Sequence, residues 1–66
     1  MKPVKTDKVI KIVLGIGYEE TRKNGSSHRI FKNRLTGITL SIPNNREIAP
    51  GTLRNLAKLE SSLSSL

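Results

Sequence analysis

The sequence predicts an α+β protein in the order α-β-β-β-α, a three-stranded antiparallel sheet with two helices on one face. Three observations carry this. Val9, Ile10, Val13 and Leu14 recur at the spacing of one helix face. Ile38-Thr39-Leu40-Ser41-Ile42 alternates as a strand with one buried side does. Leu53, Leu56 and Ala57 repeat the helical spacing behind a Pro50-Gly51-Thr52 opening. Two amphipathic helices and one alternating strand must share a core, so both helices pack on the same side of the sheet. The other face is left to solvent.

The first helix is expected near residues 6 to 15, capped by Thr6 or Asp7, with Lys5, Lys8 and Lys11 turned away from its apolar side. Gly15 and Gly17 end it. Tyr18 to Lys23 then reads as a strand, Asn24-Gly25 as a tight hairpin turn, and Ser27 to Lys32 as the returning strand. In that strand His28 and Ile30 share one face, while Arg29 and Phe31 share the other. Either a bulge near Ser27 or a mixed face must resolve this. A turn from Asn33 to Gly37 leads into the alternating strand, which Pro43 closes. Asn44 to Ala49 reads as loop, and the second helix carries Leu53, Leu56, Ala57 and then Leu59 or Leu63 inward. The Ser-rich tail, Ser61 to Leu66, is expected to fray or to be ordered by a partner. The absence of repeats and linkers makes residues 1–66 a single expected domain.

A chain of 66 residues buries too little to enclose a deep catalytic cavity, so any chemistry belongs on a shallow surface. Twelve Lys and Arg against five Asp and Glu give a formal charge of +7, which favours polyanions, nucleic acid ahead of anionic membrane. Arg22, Lys23, Arg29, Lys32, Arg34 and Arg46 fall in a stretch with no acidic residue. No cysteine is present, so no disulfide or thiolate metal site exists, and a lone histidine among scattered carboxylates provides no metal-ligand set. The longest apolar run, Ile12 to Ile16, is too short to span a bilayer, and no apolar run follows the charged N-terminus. The expected location is the cytoplasm, with no membrane partner and no cofactor.

A lone histidine on a strand is most often an ordinary surface residue. His28 has a more suggestive setting, after the turn Asn24 to Ser27 and within the acid-free basic region. Imidazole is the side chain whose ordinary titration range includes neutral pH, and neighbouring Arg or Lys can hold a phosphate and stabilise added charge on it. RNA needs little more. Its 2′-hydroxyl is a built-in nucleophile that must be deprotonated and aligned with the phosphorus, without a metal or a protein nucleophile. DNA lacks that hydroxyl.

Gly17-Tyr18, Arg22, Gly25-Ser26-Ser27-His28-Arg29-Ile30-Phe31-Lys32, Leu40-Ser41-Ile42-Pro43-Asn44 and Glu47-Ile48-Ala49-Pro50-Gly51-Thr52-Leu53-Arg54 resemble, in order and spacing, the blocks of HicA mRNA interferase toxins. The resemblance runs from Asp7 to Lys58. It implies a double-stranded-RNA-binding-domain-like fold and the toxin role of a type II toxin-antitoxin system. Such a toxin is an endoribonuclease that cleaves mRNA until a cognate HicB-like antitoxin covers its active face. It also implies that His28, matching the histidine of the family's Gly-Ser-His turn, is catalytic. Two positions depart from the family pattern: Ser27 precedes the histidine, and Arg29 stands where a second histidine is frequent. Arg29 cannot release a proton at neutral pH. The helix after Arg54 departs too.

Candidate RNA contacts are Arg22, Lys23, Arg29, Lys32 and Arg34, with Lys32 and Arg29 the leading phosphate contacts and the hydroxyls of Ser26 and Ser27 secondary. Tyr18 is expected to pack in the core with a wet hydroxyl. Two other classes fit the same residues. One is a non-catalytic RNA-binding module of the same fold. The other is an interaction domain that binds an acidic protein.

Overall fold

In the computed structural model, which describes residues 2–21 and 27–66, a two-residue strand, β1 (Val4–Lys5), runs directly into helix α1 (Thr6–Gly15). Three strands follow, β2 (Tyr18–Glu20), β3 (His28–Asn33) and β4 (Thr39–Pro43), then the short β5 (Glu47–Ile48), helix α2 (Pro50–Leu59) and a 3₁₀ helix (Ser61–Ser65). The principal sheet is antiparallel in the order β2-β3-β4. Val9, Ile10 and Val13 of α1 and Leu53 and Leu56 of α2 share one core with Tyr18, Phe31, Leu40 and Ile42 of the sheet. The α+β layout is the expected one.

The periodicities that predicted the helices also place their boundaries, but the capping differs. Lys5 occupies the N-cap of α1, and no side chain caps it. Thr6 is instead the first helical residue; it is buried, its hydroxyl donates to the Asn45 carbonyl, and its amide donates to the Arg46 carbonyl at 3.1 Å. Those bonds tie the helix to the segment before β5. That segment was expected to be loop throughout. Glu47 and Ile48 pair antiparallel with Lys5 and Val4, forming a second, two-stranded sheet that buries Ile48. Neither strand is long enough to show alternation, so only their pairing reveals them.

The expected hairpin turn at Asn24-Gly25 lies outside the described residues. The next turn is built on Asn33, a buried residue whose Oδ1 accepts from the amides of Leu35 at 2.8 Å and Thr36 at 3.1 Å. Gly37 completes the turn at φ +78°, and its amide donates to the Asn33 carbonyl.

At the C-terminus the structure corrects the expectation of a frayed or partner-ordered tail. Ser61–Ser65 form the 3₁₀ helix, and Leu63 is fully buried in the core. Leu63, not Leu59, is the inward leucine; Leu59 is 55% exposed. The Glu60 carboxylate fastens the turn, accepting from the Ser62 hydroxyl at 2.9 Å and the Tyr18 hydroxyl at 2.8 Å. Tyr18 therefore packs in the core as expected, with its hydroxyl on a carboxylate instead of wet. Burial first, and the bond to Glu60 second, push its phenol up to about 12.

Candidate nucleic-acid interface

Strand β3 decides which side chains can meet a ligand. Its pairing with β4 runs without interruption from His28 opposite Pro43 to Lys32 opposite Thr39, so no bulge intervenes in it. Phe31 and Asn33 are buried, and period-two alternation therefore puts Arg29 on their side and His28, Ile30 and Lys32 on the opposite, open side. The face is mixed. Phe31 supplies the core contact, and Arg29 is accommodated where the sheet ends, its guanidinium 5.5 Å from the Phe31 ring centroid.

His28 and Lys32 are exposed on the open face, four positions apart on one strand. The Ser27 hydroxyl lies 3.3 Å from His28 Nδ1. In one tautomer the hydroxyl donates to Nδ1 and the ring proton sits on Nε2; in the other Nδ1 donates to the hydroxyl.

Arg29 and Arg34 are differently occupied. Arg29 donates twice to Glu20, from Nε at 2.7 Å and from Nη2 at 2.6 Å, and this bonding raises its guanidinium above the ordinary range. Arg34 Nε lies 2.6 Å from Glu19 Oε1 at a solvent-exposed position. The basic stretch is acid-free in sequence but not in space, because β2 carries two carboxylates beside it. Arg22, Lys23 and Ser26 lie outside the described residues. Sequence reasoning thus brought His28, Ser27 and Lys32 together, whereas Arg29 faces the helices. It did not single out Thr39 and Ser41, which share the open face with them. The clean alternation of Ile38 to Ile42 is the signal that finds both.

Among the described residues no group of His, Cys, Asp and Glu could hold a metal ion, and no helix is long and apolar enough to cross a membrane. No curated protein and no solved structure gave a significant match to the chain. The family model for the HicA toxin of bacterial toxin-antitoxin systems matches residues 6–59, from the first residue of α1 to the last of α2. With that match spanning both helices and the whole principal sheet, the chain belongs to the HicA family of toxins of bacterial toxin-antitoxin systems.

Proposed function

We propose that this toxin is a metal-independent endoribonuclease that cleaves mRNA, with His28 as its general acid/base. The observation that carries the proposal is the position of its lone histidine, exposed on the sheet face away from the core and sharing that face with Lys32. In the reaction His28 takes the proton from the ribose 2′-hydroxyl, the hydroxyl oxygen attacks the adjacent phosphorus, and the bond to the 5′-oxygen breaks as that oxygen takes a proton from water. Lys32 offsets the charge that gathers on the phosphate. The products carry a 2′,3′-cyclic phosphate, or its 3′-phosphate hydrolysis product, and a 5′-hydroxyl. Further phosphate contacts are assigned to Arg22 and Lys23, with secondary ones to Ser26 and Ser27. Arg29 braces β2 against β3 instead of reaching RNA. The protein acts in the cytoplasm, and an acidic antitoxin of the HicB type silences it by covering the open face, where like charges on RNA and antitoxin compete for the same cations.

His28→Ala tests this reading. The variant should fold and bind RNA almost as the parent does, yet lose about 10²- to 10⁴-fold in cleavage rate and cease to arrest growth. Cleavage by the parent should survive EDTA and stop when the nucleotide 5′ of the cut is 2′-deoxy. Products ending in 5′-phosphate would rule the mechanism out. Tight RNA binding with no cleavage by the parent would instead identify a non-catalytic RNA-binding module.

A further inference from the structure

The open face carries more than His28 and Lys32. Across from β3, the register sets Pro43 opposite His28, Ser41 opposite Ile30 and Thr39 opposite Lys32. Cross-strand partners share a face, so these three residues stand opposite the side on which Leu40 and Ile42 are buried. Thr39 and Ser41 are exposed, and among the described residues neither hydroxyl has a hydrogen-bond partner. Ile30 is half-buried between His28 and Lys32. Glu19 lies directly opposite Lys32, but its carboxylate is held by Arg34, so among the described residues the ammonium has no ion pair.

Geometry narrows the occupant. Same-face residues recur about every 6.7 Å along a strand, and neighbouring strands lie about 4.8 Å apart. His28, Ser41 and Lys32 therefore mark a path, bent at Ser41 by one strand spacing, whose steps are of the same order as the spacing of successive phosphates in an extended nucleic-acid strand. The path is one strand pair wide, which suits one backbone and not the two separated backbones of a duplex. Ile30 and Pro43 offer apolar surface to a base. Ser and Thr hydroxyls both donate and accept, and so can bond a phosphate oxygen or a ribose 2′-hydroxyl.

We propose that the open sheet face is a track for a single RNA strand, with Ser41 as the subsite between His28 and Lys32 that holds the phosphate or ribose next to the bond being cut. The position of that bond rests on the nuclease reading; the track itself rests on the register and the exposed hydroxyls.

The test measures affinity for a short single-stranded oligoribonucleotide and for a duplex of the same length, by fluorescence anisotropy at low salt, in full-length protein carrying His28→Ala so that nothing is cut. Ser41→Glu should weaken single-strand binding by roughly tenfold, Ser41→Ala by severalfold, and Ser41→Lys should tighten it, while duplex affinity stays within about twofold. The tightening by Ser41→Lys is a result that misfolding cannot produce. Unchanged single-strand affinity in both charged variants, or equal changes for single strand and duplex, would overturn the track. If the parent protein fails to cut RNA but the Ser41 variants shift affinity as expected, the nuclease reading falls and the track stands. If the parent cuts and the Ser41 variants shift nothing, the track falls and the nuclease reading stands.

Discussion

Arg29 and Lys32 separate two duties that sequence reasoning had assigned together. Both are basic, both lie on β3, and an odd separation of three residues puts them on opposite faces. Arg29→Ala removes a two-pronged bond to Glu20 whose side chains are 26% and 29% exposed, and should lower stability by about 1 kcal/mol with little change in RNA affinity. Lys32→Ala should do the reverse, weakening RNA binding and cleavage together, because a phosphate contact acts in ground and transition states alike. Thermal melts and a binding titration on the two variants distinguish these outcomes. Tyr18 and Glu60 make a pH-dependent pair. The folded phenol titrates at about 12, above the ordinary value near 10, so the folded chain holds a proton that the unfolded chain gives up first. The stability this supplies is complete below pH 10 or so and is lost as pH rises toward 12. Glu60 is shifted down, chiefly by the bond from Tyr18, so its contribution is complete above the ordinary carboxylate range and is lost as pH falls through its lowered folded value. Tyr18→Phe should cost about 1–2 kcal/mol at neutral pH and flatten the alkaline limb of a plot of Tm against pH.

At the level of elements, the C-terminal 3₁₀ helix is part of the fold and not an appendage. Leu63 is fully buried, and Glu60 links the turn to Tyr18 of β2 across 42 positions of sequence. Leu63→Ala should destabilise the protein by about 2–5 kcal/mol, as truncation of a buried leucine does. Leu59→Ala, at a 55% exposed position, should stay within about 0.5 kcal/mol. Denaturant midpoints on the pair decide which leucine the core uses. The β3–β4 turn makes a comparable connection: Asn33 organises the turn through its Oδ1 while its Nδ2 donates to the Ile16 carbonyl at 3.5 Å, joining the turn to the end of α1. Gly17, at φ +110°, then brings the chain into β2. An L side chain at Gly17 is strained by that backbone conformation even though the space beside Asn33 would admit its Cβ.

Across the whole molecule, the charge of +7 is unevenly available. Arg29 and Arg34 are engaged by carboxylates of β2, while Lys8 and Lys11 on α1 and Lys32 on the open face are exposed. RNA affinity should therefore depend on a few contacts and not on all twelve cations. With three or four phosphates neutralised on a single strand, log affinity should fall against log salt with a slope of about −2 to −3. A titration series in rising salt measures it, and Lys32→Ala should make the slope shallower by somewhat less than one.

Periodicity and punctuation determined a large part of this protein in advance. The helical repeats, the Ile38 to Ile42 alternation and the Pro50 opening placed α1, β4 and α2, because local sequence patterns dictate which side of an element can be buried. The turn before it, the acid-free basic stretch around it and the family resemblance made His28 the residue to watch. Tertiary structure decided what depends on partners distant in sequence. The pairing of Val4 and Lys5 with Ile48 and Glu47 is invisible in two-residue strands. The burial of Leu63 requires the core that both helices and the sheet build together. The face of β3 was open because alternation alone is the same in either parity. Only the continuous register with β2 and β4, with Phe31 in the core and Arg29 held by Glu20, turns His28 and Lys32 outward.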